Sequence, residues 1–513
     1  MSYKVDTVMQ QPVVHAQSIL WATLFERVSD ANLSLQGRIR QTLVSAILSG
    51  HLPPGASVPS SRLLSDSLGV ARNTVVFAYQ QLVSEGYLIS RERSGHVVAD
   101  DVLKGRVAAV AEPSTSQTTQ PRATWDQRLS FHPSTQRNIV KPADWQTLPF
   151  PFVYAQFDAS QFPTAEWREC CTKALSVLDI RSWAPDLITH DDSALIEEIR
   201  TQVLPRRGVW AEKEEIVITV GAQHALYLLG DMLIQSHTVV GMEDPGYPDA
   251  RNTFSHRTTR LLPLPIDRDG LCITPQLLDC DYLFVTPSHQ CPTTVTLPLA
   301  RREALLAMAD EADSIIIEDD YETENRYDNT PTPALKSLDK NGRVIYVGSL
   351  SKSFAPGLRI GYIVAPKELI HELRALRRLM LRHPSAYIQR AFALFISLGH
   401  HHSLLRRLSV IYQERARVLT EEMNKHLPEF ELIPLSGGSS CWVKTPESVN
   451  TQQLADLAFQ QGICIEPGHV FFHNPRHDRH NYIRMGFSAI DSHRIGPGIE
   501  RLSKVYREMC RQN

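Results

Sequence analysis

A chain of 513 residues is too long for one ordinary core and predicts two or three domains. Hydrophobic residues at 42% and charged residues at 21% exclude a disordered or fibrous chain and fit a soluble globular one. A net charge of −3 excludes a wholly basic nucleic-acid coat, but steering depends on local charge, so a small DNA-binding module stays open.

The opening stretch, MSYKVDTVMQQPVVHAQSIL, lacks a sustained apolar run and is interrupted by Asp6, so no signal peptide is expected. No apolar run approaches the roughly 18 residues of a membrane span. The 8 cysteines are scattered, with neither CxxC pairs nor zinc-like spacing. That usage fits free thiols in a reducing compartment and a cytoplasmic protein.

Residues 18–98 are dense in helical periodicity. In LSLQGRIRQTLVSAILSG, Leu35, Ile39, Leu43 and Ile47 recur at i, i+4 spacing and predict one apolar helix face, stopped by Gly50 and by Pro53-Pro54-Gly55. SSRLLSDSLG predicts a short helix with Ser60 or Ser61 as its N-cap and Gly69 at its end. RNTVVFAYQQLVSEG predicts a second helix with Val75, Ala78, Tyr79 and Leu82 turned inward. Helix, glycine-containing turn and helix form the helix-turn-helix pattern. YLISRERSGHVVA then reads as a hairpin with Arg93 at its polar tip, a wing.

In that geometry the second helix enters the major groove, so Arg72, Asn73 and Thr74 at its start reach base edges or phosphates. Ser61 and Arg62, opening the previous helix, suit a backbone phosphate. The basic residues between Ala31 and Asp100 are only Arg38, Arg40, Arg62, Arg72, Arg91 and Arg93, a modest footprint. Spacing alone also allows a helical hairpin that merely docks on the rest of the chain.

Residues 99–145 are rich in Ser, Thr, Gln and Pro with little apolar periodicity, and read as a flexible linker. From 146 to 513 short β-rich runs such as EIVITV, DYLFVTP, SIIIEDDY and RVIYVGSL alternate with helical stretches. Alternation of that kind predicts an α/β domain with a mostly parallel sheet covered on both faces.

This second domain holds a set of residues suited to pyridoxal 5′-phosphate (PLP). PLP needs a lysine for a Schiff base, an acid on the pyridine nitrogen, a phosphate cup and a ring-stacking partner. Lys352 in GSLSKSFAPGLRIGY is the candidate lysine. Asp319 and Tyr321 lie two apart at the end of the apolar run SIIIEDDY and share a strand face, one for the ring nitrogen and one for the 3′-oxygen. Strand alternation puts Asp319 with Tyr321 and Asp320 on the opposite face, and the choice of Asp319, which also rests on the family placement given below, could slip by one residue. The amides of Gly221, Ala222 and Gln223 open a helix after a strand and would meet a phosphate, with Ser349, Ser351 and Arg359 completing the cup. Tyr247 is the candidate for stacking.

Each element alone is weak. Ser349-Leu350-Ser351-Lys352 also satisfies the S-x-x-K of penicillin-binding enzymes, whose companion S-D-N and K-T-G elements are absent here. The triple histidine 400–402 is not expected to bind metal, because three adjacent helical residues cannot face one ion.

Taken along its whole length, PSSRLLSDSLGVARNTVVFAYQQLVSEGYLISRERSGHVV resembles the winged helix-turn-helix of the GntR family. The succession Gly-Ala-Gln, Gly-Tyr, Asp-x-Tyr, Lys352 and Arg359 resembles the fold-type I aminotransferases. Joined by a linker, the two resemble the MocR/GabR family of bacterial transcriptional regulators, as do LWATLFERV, FPTAEWREC, VTPSHQCPT and IEDDYETENRY. That resemblance implies Lys352 as the Schiff-base residue and Arg484 in NYIRMGF as the site of an effector carboxylate. It also implies a head-to-tail homodimer that reads an operator of double-stranded DNA with two half-sites.

The effector is then an amino compound or PLP itself. The alternative is a working aminotransferase whose N-terminal module only localises it. One departure bears on this choice: many aminotransferases carry Asn-Pro-x-Gly where this chain has Cys291-Pro292-Thr293-Thr294, which weakens the case for efficient transamination.

Overall fold

The structure is a computed structural model that describes residues 21–28, 33–91, 95–102, 124–322, 327, 332–352, 354–474 and 480–512. The chain forms two compact units, Met1–Arg128 and Leu129–Asn513.

The smaller unit contains helices α1 (Trp21–Arg27), α2 (Leu35–Leu48), α3 (Ser61–Leu68) and α4 (Arg72–Ser84), then a hairpin of β1 (Leu88–Arg91) and β2 (Gly95–Val98). Its helix starts follow from local chemistry. Ser34 caps α2 by accepting from the Gly37 amide at 3.2 Å, and Ser60 caps α3 by accepting from the Leu63 amide at 3.2 Å. Gly69 ends α3 at φ +66°, a conformation that disfavours any side chain.

Ile39, Leu43, Ile47, Val75, Ala78, Tyr79 and Leu82 are buried together, and the Tyr79 hydroxyl donates to the Pro59 carbonyl at 2.7 Å. Leu35 departs from the predicted stripe: it is half exposed, because at the first residue of α2 the apolar face has run past the core. Arg93 lies outside the described residues.

The larger unit is built on an 8-stranded sheet. After β3 (Phe150–Pro151) come β4 (Ile216–Thr219), β5 (Val240–Asp244), β6 (Leu261–Asp267), β7 (Gly270–Leu271), β8 (Tyr282–Val285), β9 (Ile315–Asp320), β10 (Val344–Ser349) and β11 (Gly361–Val364). The spatial order is β4-β11-β10-β9-β8-β5-β6-β7, with β10, β9, β8, β5 and β6 mutually parallel and β11 and β7 antiparallel to their neighbours. Alternate residues bury into different cores: Ile216, Ile218, Tyr346 and Tyr362 on one side, Val217, Ile317, Ile345 and Ile363 on the other.

Strands β12 (Glu431–Leu432), β13 (Ser440–Lys444), β14 (Ile463–Cys464), β15 (Glu466–Pro467) and β16 (Tyr482–Gly486) follow. Four of them form an antiparallel sheet in the order β12-β13-β16-β15, while β14 pairs with β3.

Residues 129–145, whose composition reads as linker, lie on the larger unit. The Arg137 guanidinium donates to the carbonyls of Phe472 at 3.2 Å and His473 at 2.6 Å. The Arg137 carbonyl accepts from Arg251 at 3.3 Å and Asn252 at 2.9 Å. A polar composition means that this segment builds no core of its own. It does not stop its long polar side chains from satisfying carbonyls elsewhere.

Candidate functional site

In the smaller unit, Arg62, Arg72 and Asn73 are exposed and Ser61 and Thr74 partly so. Arg72 Nε donates to Ser61 Oγ at 3.2 Å, so the starts of α3 and α4 are neighbours. The predicted DNA-facing residues that the structure describes therefore share one side of this unit.

In the larger unit, the C-terminal ends of β4, β9 and β10 open on the same edge of the sheet, where open α/β sheets place their ligand sites. A cavity of about 400 Å³ lies there. Gly221, Ala222, Gln223, Tyr247, Asp319, Tyr321, Ser349, Ser351, Lys352, Arg359 and Arg484 all line it.

β4 passes directly into the helix Gly221–Leu233, so the first amides of that helix face the cavity mouth. Gly221 has φ +71°, and a Cβ there would stand 3.1 Å from the Arg359 guanidinium. The Tyr247 hydroxyl lies 3.2 Å from Gln223 Oε1 and 3.1 Å from Asp249 Oδ2. Ser351 is more committed than its spacing suggested: its hydroxyl donates to the Ile360 carbonyl at 2.9 Å and accepts from the Ile360 amide at 2.8 Å.

Adjacent carboxylates on β9 diverge, as the pleat requires. Asp320 is bound by Arg207 Nε at 2.8 Å and by the Tyr346 hydroxyl at 2.6 Å. Asp319 instead faces the cavity, and its Oδ1 is buried without a hydrogen-bond partner among the described residues. Burial pushes its pKa up to about 7, against the pull of nearby Lys352.

Lys352 Nζ sits 4.0 Å from the ring centre of Tyr321 and 4.5 Å from that of Tyr154. Burial lowers its pKa below the ordinary lysine value, opposed by Glu322, Cys291 and Asp319. Cys291 also lines the cavity, and burial raises its thiol to about 12. Thr294 has φ +69°, the left-handed conformation that a glycine would adopt freely.

Arg484 is 2% exposed. Its Nε donates to Glu466 Oε2 at 2.7 Å, and its guanidinium lies 4.1 Å from the Tyr154 ring centre. Sequence reasoning missed Tyr154, Glu466 and Lys141, the last of which reaches the cavity from the linker-like segment. No motif marked them. The three histidines point to different neighbours: His400 to Glu169, His401 into Phe392 and Phe395, His402 to Arg206.

A winged helix-turn-helix unit followed by an aminotransferase-like sheet with a lysine-centred cavity defines a class, a DNA-binding regulator carrying an aminotransferase-type domain. Comparison with known proteins agrees. Residues 35–98 match the bacterial regulatory proteins of the gntR family, and residues 168–502 match aminotransferase class I and II.

The chain is 40% identical to the HTH-type transcriptional regulator TauR of Rhodobacter capsulatus, over 92% of this chain and 97% of that one. It is 31% identical to the probable rhizopine catabolism regulatory protein MocR of Rhizobium meliloti, over 93% and 94%. The fold of the larger unit is that of LysN, the α-aminoadipate aminotransferase of Thermus thermophilus, with a TM-score of 0.69 at 23% identity over 76% of this chain and all of that one. The chain belongs to the MocR-type helix-turn-helix transcriptional regulators, which join a GntR unit to an aminotransferase class I and II domain. Among the described residues no helix is long and apolar enough to cross a membrane.

Proposed function

We propose that this regulator holds PLP on Lys352 and changes its operator binding when an amino compound, or PLP itself, occupies the cavity. The single observation that carries the reading is the unpartnered buried oxygen of Asp319, in a cavity also lined by Lys352 and a glycine helix start. A buried carboxylate oxygen without a donor is costly unless a ligand supplies one, and a pyridine N–H does. The residues present therefore fit the cofactor.

Asp319 would accept from the ring nitrogen, Tyr321 would donate to the 3′-oxygen, and Tyr247 would pack on the ring. The amides of Gly221, Ala222 and Gln223, with Ser349 and Arg359, would hold the phosphate. Ser351, engaged with Ile360, keeps the lysine-bearing loop in shape at their side. Bound there, PLP supplies an aldehyde conjugated to an electron-poor ring, which condenses reversibly with primary amines. Burial eases proton loss from Lys352 Nζ, so that its amine can compete with the amine of an effector. Arg484 would receive the effector's acid group.

Differential binding to two conformations converts occupancy into altered DNA affinity. Two copies, arranged head to tail in the cytoplasm, would read two half-sites. A second reading, transamination by the same cavity, is favoured by the completeness of its lining and opposed by Cys291 and Thr294. The deciding experiment is a footprint of the full chain on DNA upstream of its own gene, with and without PLP, beside Lys352→Ala. Paired protection that PLP alters in the wild type but not in the variant supports the regulator. Steady turnover of an amino donor and an oxo-acid without any protected DNA overturns it.

A further inference from the structure

Lys141 is a cation of the cavity wall to which the proposed cofactor site gives no role. It belongs to residues 129–145, the stretch of chain that follows the DNA-binding unit in sequence. Its ammonium donates to the Tyr154 carbonyl and lies 4.0 Å from Glu466 Oε1. Arg484 binds the other oxygen of the same carboxylate at 2.7 Å. Two cations thus converge on one anion.

Valences remain open at this junction. Arg484 Nη2 and Glu466 Oε1 are both buried without a hydrogen-bond partner among the described residues. Arg484 and Glu466 are 2% and 4% exposed, so water does not readily compensate them. The Tyr154 carbonyl that receives Lys141 precedes Ala155, a non-glycine residue at φ +56° that also lines the cavity. Backbone held in that region concentrates at ligand sites. Arg137, pinned to Phe472 and His473, fixes the segment that presents Lys141.

We propose that Lys141 is a specificity-determining residue which, together with Arg484, binds the acid group of an effector bearing one amine and one monoanionic acid group. This rests on the reading of the larger unit as the effector-binding unit. At the junction itself two cations face the single carboxylate of Glu466, while Asp249 and Lys352 add one further charge of each sign to the cavity wall, so Lys141 and Arg484 present the positive pair that a monoanion meets. The free Nη2 of Arg484 supplies a donor that Glu466 does not use, and Lys141 supplies a second from another direction. Burial, opposed by Glu466 and Asp249 and reinforced by Arg484 and Lys352, holds the Lys141 ammonium down to about 8, so an incoming anion helps it keep its proton. An amine lacking the acid group would leave these donors unanswered.

The test is calorimetric titration of the full-length, PLP-loaded protein with unbranched ω-amino acids from glycine to 5-aminopentanoate, and with alkylamines of matched length. Wild type is compared with Lys141→Met and Lys141→Arg, and Lys141→Gln replaces the first if it folds poorly. At least one acid should bind the wild type, weaken about tenfold or more in Lys141→Met and recover in part in Lys141→Arg. The matched amines should stay within about twofold throughout. Acid affinities unmoved by Lys141→Met, equal losses for amines and acids, or no binding by any acid of the series would each overturn the proposal. The titration does not depend on operator binding, so a failed footprint would strike the regulator reading and leave the role of Lys141 separately decided.

Discussion

Asp319 answers to opposed demands. Its carboxyl is an ordinary one in the unfolded chain, with a pKa near 4, and stands at about 7 once buried. A folded value raised above the unfolded one contributes stability below about pH 4, and that contribution is lost as pH rises through about 7. Without PLP, the larger unit should therefore weaken across that window. Asp319→Asn should raise the melting temperature of the cofactor-free protein at about pH 8, yet lower PLP affinity by at least about tenfold. Glu243 and Glu318, each also near 7 through burial, should keep part of the slope in the variant. Melts of cofactor-free protein at about pH 5 and about pH 8, beside a PLP titration, check both halves. Equal melting of wild type and variant at the higher pH would count against the burial of an unanswered carboxylate.

At the scale of elements, the start of α4 and the end of α3 have separable duties. Gly69 has open space where a Cβ would go, so Gly69→Ala should cost about 1–2 kcal/mol through the left-handed backbone alone, read by denaturant unfolding. Arg72→Ala should leave stability unchanged because the side chain is exposed, while lowering operator affinity. If Arg72 meets a phosphate, the salt dependence of binding should fall by about 0.9 in logarithmic slope.

Elements of this kind were legible in sequence because period and punctuation are local. The i, i+4 stripe gave Ile39, Leu43 and Ile47, and the strand alternation separated Asp319 from Asp320. What local pattern cannot carry is a meeting across the chain. Lys141 sits in a stretch whose composition says only that it builds no core, and Glu466 meets Arg484 only because β15 and β16 pair in register. The commitment of Ser351 to Ile360 likewise depends on how a loop closes, which the spacing of serines does not state.

The whole molecule carries separate cores in its two units, one around Leu43 and Tyr79, the others about the large sheet. Unfolding should accordingly show two transitions rather than one. Excess PLP should shift only the transition of the larger unit, because a ligand stabilises the unit that binds it. Differential scanning calorimetry with and without PLP decides this, and a single transition moved as a whole would mean that the units unfold as one. If two copies pair as proposed, protection on DNA should fall on two half-sites separated by whole helical turns, about 10 base pairs or a multiple of it.

On the proposed reading, the pairing of Glu466 with Arg484 places the charge of the effector end in the hands of very few codons. One base change converts a glutamate codon to glutamine or lysine. Either replacement would leave the buried Arg484 guanidinium without its carboxylate, a cost of about 3–5 kcal/mol unless an incoming anion answers it. A lineage could in this way trade a monoanionic signal for a more highly charged one in a single mutational step, with the cofactor cup inherited intact.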